Sequence, residues 1–171
     1  MKTTILSEDT IFENKAVATI GFFDGVHRGH QFLLKHVVEL AHKNGMESMA
    51  ITFDKHPRQV LNADYQPQLL TTLDDKLKLL AETGIDHCVV LPFTKVLAAL
   101  SAYDFMDKIM RTKLGVAKLL IGYDNRFGHN RSETFDDYVR YGKEMGIEVV
   151  QNTALDVEGI MVSSSVVRRL I

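Results

Sequence analysis

Apolar residues in this chain fall into short continuous runs separated by stretches of helical spacing. Residues 16–23 (AVATIGFF) form the first run. A helical pattern follows from 29 to 44, with Phe32, Leu33, Val37, Leu40 and Ala41 spaced to share one face. Asn44-Gly45 supplies the left-handed stop such a helix prefers. Residues 47–53 (ESMAITF) predict a second strand, and a polar loop covers 54–68. Thr72, three residues before Asp75, resembles a capping box opening a helix that runs to Gly84. Residues 88–93 predict a third strand, and Ser101 caps a helix ending at Gly115. Residues 118–122 predict a fourth strand, and Ser132 begins a helix that Gly146 ends. Residues 147–150 make a fifth strand, 159–162 a short sixth, and 166–171 the first turns of another helix.

Strands alternating with helices imply parallel pairing through right-handed crossovers. Helices then cover both faces of the sheet, which explains strands that are apolar throughout. The expected fold is α/β: a Rossmann-like, doubly wound, mostly parallel sheet of five to six strands. A chain of 171 residues fits one domain, at roughly 100–200 residues each. No repeat, low-complexity tract or linker divides it, so 1–171 reads as a single domain. Hydrophobic residues at 46% and charged residues at 25% argue against disorder.

No stretch reaches the ~18 apolar residues of a membrane span, and Glu8 and Asp9 stand where a secretory signal needs its apolar core. The single cysteine, Cys88, forms no internal disulfide, and a reducing cytoplasm is expected. A net charge of −2 excludes an overall basic nucleic-acid binder, though not a local pocket for a small anion.

In doubly wound sheets ligands lie beyond the carboxyl ends of the strands, so the residues after each strand are the first candidates. After the first come Gly21 to Gln31, with His27 and His30 flanking Gly29 at the mouth of a helix. Unpaired N–H groups and partial positive charge make that mouth an anion site. Gly29 leaves room for close approach, and the histidines add donors near neutral pH. Neither GxxxxGK[ST] nor GxGxxG occurs. Two surface histidines on a turn is the plainer alternative, and no third ligand supports a zinc pair.

After the second strand stand Phe53, His56, Pro57 and Arg58; after the fourth, Tyr123, Asp124, Asn125, Arg126, Phe127 and Arg131; after the sixth, Ser163, Ser164 and Arg168. Arginines can hold phosphate in bidentate fashion, and aromatic rings can stack on a base or flavin. Each segment alone also reads as an ordinary loop. Four of them at one end of one expected sheet point to a polyphosphate ligand.

These segments resemble the adenylyltransferase module of bacterial bifunctional riboflavin kinase/FAD synthetases, in the HxGH nucleotidyltransferase superfamily. The matching stretches are GFFDGVHRGHQ (21–31), TFDKHPR (52–58), LLTTLDDKLKLLAETGID (69–86), GYDNRFGHNRSET (122–134) and VSSSVVRRL (162–170). The resemblance implies transfer of AMP from ATP to FMN, giving FAD and pyrophosphate with Mg²⁺, in a cytoplasmic enzyme without nucleic-acid or membrane partners. It implies catalytic roles for His27, His30 and Arg168, and ATP contacts for Gly21, Phe22, Phe23, Asp24, Gly29, Ser163 and Ser164. Phe53, His56, Pro57, Arg58, Asp124, Asn125, Arg126 and Phe127 fall on the flavin and substrate side, with Asp124 as a metal ligand. Asn125 stands where the family usually has phenylalanine, Lys55 where proline is common, Ser165 for threonine and Glu133 for a frequent glycine. A riboflavin kinase domain would follow natively and has no counterpart in these residues. The alternatives are another HxGH nucleotidyltransferase, using CTP or phosphopantetheine, and a non-catalytic flavin- or nucleotide-binding module.

Overall fold

The apolar runs become parallel strands because their backbone groups pair laterally while helices bury both faces. The structure, a computed structural model, describes residues 1–21, 23, 28–54, 73–92, 94–121, 135–151, 155–157 and 160–162. Within these, β1 (Lys2–Ile5), β2 (Ala16–Ile20), β3 (Glu47–Phe53), β4 (His87–Leu91), β5 (Val116–Ile121) and β6 (Glu148–Gln151) form one six-stranded sheet. Its order is β1-β4-β3-β2-β5-β6, and every pairing is parallel. All five residues of β2 are buried, as a central strand requires.

Helix α1 (Arg28–Lys43) crosses from β2 to β3, and α2 (Leu73–Ala81) precedes β4 on the same face. Leu33, Leu34, Val37 and Ala41 bury α1 against Val17, Ala50, Cys88 and Val90. Leu33, Leu34 and Val37 each contribute about 1.5–3 kcal/mol on burial. Phe32 and Leu40, expected to face the core, are only partly buried, and Leu34 takes the innermost place. The opposite face is covered by α3 (Lys95–Ala98), α4 (Ala102–Asp104) with its π-helical continuation Phe105–Arg111, and α5 (Phe135–Met145).

Several expectations need correction. The sixth strand of the sheet is β1, not the run at 159–162. KTTI escaped notice because an edge strand, mostly exposed, has no apolar signature; its evidence is backbone pairing with β4. Ile160–Val162 (β8) instead pairs antiparallel with Leu155–Val157 (β7) in a separate two-stranded sheet. The segment holding Ser163, Ser164 and Arg168 therefore does not follow a strand of the main sheet. The strand expected over 16–23 stops at Ile20, because Phe23 turns into left-handed backbone at φ 56°. The strand expected over 88–93 ends at Leu91, before Pro92, which has no N–H to extend the ladder.

The helix capped by Ser101, whose Oγ accepts from the Asp104 N–H at 3.1 Å, widens into the π turn. There Thr112 N–H reaches Asp107 C=O and Leu114 N–H reaches Ile109 C=O, so Phe105, Met106, Ile109 and Met110 all enter the core. The stop at Gly45 holds, with φ +65°. Thr72 and Ser132 lie outside the described residues. Among the described residues, no helix is long and apolar enough to cross a membrane.

Candidate active site

From β2 the chain steps outward to β3 and β4, then returns to the other side of β2 for β5 and β6. The reversal falls between β2 and β5, and such a switch point opens a crevice beyond the carboxyl ends of the two strands. Gly21 leaves β2 at that point, its N–H donating to Ile51 C=O of β3 at 3.0 Å. Phe23 follows in the left-handed region yet is 2% exposed. That conformation costs a non-glycine residue about 1–3 kcal/mol and persists only where its surroundings enforce it.

The surroundings are Gly21 and His30. A Cβ on Gly21 would lie 3.1 Å from Phe23 Cε1, so the ring occupies the space a side chain would need. His30, in the first turn of α1, meets the Phe23 ring edge-on, with centroids 5.3 Å apart and planes at 88°. Phe23 thus couples the end of β2 to the start of α1.

The first turn of α1 carries no acidic residue, whereas α2 opens with Asp74 and Asp75 and α5 with Asp136 and Asp137. Acidic side chains in a first turn neutralise the positive end of the helix dipole. At α1 no first-turn acid does so, and His30 lies beside that end. Thr19, fully buried two residues before Gly21, has a hydroxyl with no hydrogen-bond partner among the described residues.

Of the residues expected from sequence, Gly21, Phe23 and His30 come together. Phe53 ends the neighbouring strand, but its ring packs on the opposite face of the sheet. Gly29 lies in the first turn of α1. Phe22, Asp24, His27, His56, Pro57, Arg58, Asp124, Asn125, Arg126, Phe127, Ser163, Ser164 and Arg168 lie outside the described residues. So does Arg131.

Sequence reasoning missed Lys76. It is 3% exposed, and its Nζ donates to Thr52 Oγ1 and to Phe53 C=O, both at 3.0 Å. The signal was present: Lys76 sits three residues after Leu73 and four before Leu80, on the buried stripe of α2. A charge at such a position asks for an explanation. Cys88, on the next strand, is no nucleophile at neutral pH. Burial pushes its thiol up to about 11, against a smaller opposing pull from Lys76.

Comparison with known proteins follows the same lines. The FAD synthetase family model matches residues 9–166. The chain belongs to the FAD synthetase family. It is 36% identical over 153 residues to the bifunctional riboflavin kinase/FMN adenylyltransferase of Escherichia coli K12, covering 90% of this chain and 49% of that protein. The enzymes of the same name from Pseudomonas fluorescens (37% over 152 residues, 89% and 49% covered) and Listeria monocytogenes (35% over 162 residues, 92% and 50% covered) are similar at the same level. The chain spans about half the length of these curated relatives. Among solved structures, a protein described as a macrolide-efflux protein from Streptococcus pneumoniae superposes on 100% of this chain and 56% of its own, with TM-score 0.80 and 24% identity. That likeness speaks for the fold alone.

Proposed function

We propose that this FAD synthetase-family chain transfers AMP from ATP to FMN, releasing pyrophosphate and forming FAD. The observation that carries the reading is the mouth of α1: a helix N-terminus without first-turn acid, set at the reversal of strand order, with His30 held there by Phe23. A terminal phosphate oxygen of FMN attacks the α-phosphorus of ATP, and the α-phosphorus–bridging oxygen bond breaks. Its electron pair leaves with pyrophosphate.

No protein nucleophile takes part. The chain's contribution is alignment of the two anionic substrates and stabilisation of charge as it builds on the leaving group. His27, His30 and Arg168 serve that charge; Gly21, Phe22, Phe23, Asp24, Gly29, Ser163 and Ser164 hold ATP. Phe53, His56, Pro57, Arg58, Asp124, Asn125, Arg126 and Phe127 serve the flavin side. Among the described residues no group of three or more histidines, cysteines and carboxylates is placed to hold a resident metal ion. Mg²⁺ would arrive with ATP, be held by Asp124 and neutralise charge on the phosphates. The setting is the cytoplasm, and a riboflavin kinase partner domain stands outside residues 1–171.

Incubation of the chain with FMN, ATP and Mg²⁺, followed by chromatography, tests the reading. FAD and pyrophosphate are expected in equal amounts, with no FMN formed from riboflavin and ATP. Product with CTP or a phosphopantetheine acceptor, but none with ATP and FMN, overturns it. So does tight FMN binding without pyrophosphate release.

A further inference from the structure

Phe23 is the one non-glycine residue at positive φ among the described residues, and its ring is buried all the same. Left-handed backbone is uncommon for any side chain and a clear outlier for a bulky one. Glycine or asparagine would make the same turn with less strain. A phenylalanine also reaches a core equally well from ordinary strand or helix backbone, so burial by itself does not account for this position. Where the ring lands does.

The ring lands on Gly21. A Cβ built on Gly21 would stand 3.1 Å from Cε1, 3.2 Å from Cζ and 3.4 Å from Cδ1 of Phe23, so the ring lies against the space a methyl group would take. Gly21 is in turn anchored to the sheet, its N–H donating to Ile51 C=O of β3 at 3.0 Å. The same ring meets the His30 imidazole edge-on, with centroids 5.3 Å apart and planes at 88°. Helix α1 carries a second aromatic–histidine pair, Phe32 with His36 at 4.3 Å, but those two residues lie within one helix. The Phe23–His30 pair instead links the end of a strand to the first turn of the helix that follows it. One stiff group thus stands between sheet backbone and imidazole.

We infer that Gly21 and Phe23 are positioning residues for His30: the bare backbone of Gly21 sets the depth of the Phe23 ring, and the ring sets one side of the imidazole. The role rests on the reading of the chain as an FMN adenylyltransferase in which His30 stabilises charge on the leaving group. Any contact of Phe23 with ATP is then a main-chain one, because its ring is covered. The ring affects the reaction through His30. A misplacement of about 1 Å remote from the chemistry can cost about 10²-fold in rate, and a methyl on Gly21 obliges the ring to give by a few tenths of an ångström. A smaller but measurable loss is expected from it.

Two variants test the role, each made in the wild-type chain and in His30→Ala. Phe23→Leu keeps apolar bulk and removes the ring. Gly21→Ala keeps both the ring and the imidazole and displaces only the first. FAD formation is measured with ATP varied at saturating FMN and Mg²⁺, alongside melting curves. The imidazole ¹H–¹³C NMR signals of His30 are followed with those of His36 and His42 as internal references. Phe23→Leu is expected to lower kcat by about tenfold and Gly21→Ala by about threefold, with KM for ATP within about twofold of wild type. In His30→Ala both effects should shrink below about twofold, since the group being placed is gone. The His30 signals should move in both single variants while those of His36 and His42 stay. Gly21→Ala carries the test if Phe23→Leu does not fold.

Three results overturn the role: a KM for ATP that rises by as much as kcat falls, the same loss of kcat with and without His30, or an unchanged kcat in both variants. If the wild-type chain forms no FAD, the functional reading fails on its own. The NMR signals then decide whether the ring places His30, and signals that neither variant moves would reject it.

Discussion

At the amino end of the sheet, charged side chains meet one another. His87 Nε2 lies 2.6 Å from Glu47 Oε2, Lys118 Nζ donates to Glu148 Oε2 at 2.8 Å, and Asn14 Nδ2 donates to Glu47 Oε1 at 3.3 Å. Asp86 and Ser48 exchange bonds: the carboxylate accepts from the Ser48 N–H and hydroxyl at 2.9 and 3.0 Å, and the Asp86 N–H donates to the Ser48 hydroxyl at 2.8 Å. The carboxyl end is organised otherwise. A helix N-terminus there has no acid in its first turn, a buried lysine bonds the Thr52 hydroxyl and the Phe53 carbonyl, and a phenylalanine sits in left-handed backbone. One end spends its polar groups on itself. The other joins a helix N-terminus to strained backbone, the features on which the proposed anion site rests.

Substitutions at the two ends should therefore separate catalysis from stability. His30→Ala is expected to lower turnover by about 10²–10³-fold, the size of losing one transition-state donor, while the chain stays folded. FAD formation near the wild-type rate would remove His30 from the role given to it. The counterpart at the amino end is Gly142, in the last turns of α5. A Cβ there would collide with the Ile147 carbonyl oxygen and lie 2.9 Å from Val149 Cγ2, and the backbone cannot easily retreat because Ile147 N–H is bonded to Gly142 C=O at 2.8 Å. Gly142→Ala should cost about 3 kcal/mol, the upper part of the overpacking range, and lower Tm by about 6–12 °C for a chain of this size. Turnover per folded molecule should not change. A fall in turnover at temperatures where the variant is fully folded would break the division between the two ends.

The same division explains what could be read from the sequence. Apolar runs announce strands, so β2 to β6 and their parallel pairing were legible, with most boundaries off by one to three residues, while their order in the sheet was not read. Glu47–Phe53 was legible to the residue. The edge strand β1 was not, because pairing with β4 rather than composition creates it. Residues 159–162 looked like a sixth member of the sheet because a three-residue apolar strand carries no information about its partner.

At the site, His30 and Gly21 stood out by motif. Phe23 was visible as a residue but not as the hinge between them, since a left-handed phenylalanine has no sequence signature. Lys76 could have been found as a charge on the apolar stripe of α2. The Asp86–Ser48 exchange could not, because it joins residues 38 apart across two strand beginnings.

That exchange yields the last and smallest expected effect, and a sharp one because its size depends on pH. Burial alone would raise the Asp86 pKa; the Ser48 N–H and hydroxyl, with His42 and His87 nearby, outweigh it and hold the carboxyl below its ordinary value of 3.8. A carboxyl harder to protonate when folded stabilises the chain above its unfolded pKa. That contribution disappears as pH falls through the folded value. Asp86→Asn keeps the shape and one acceptor but loses the charge-assisted part of the bonding, about 1 kcal/mol for a partly solvated group. Urea titrations of wild type and variant should therefore differ by about that amount at pH 7 and converge only as the pH falls below the folded pKa of Asp86. Because Asp86 lies at the amino end, FAD formation by Asp86→Asn should match wild type at pH 7. A stability gap that persists at acid pH would mean that the substituted amide fails by shape rather than charge, and the amino end would then owe its strength to packing instead of paired polar groups.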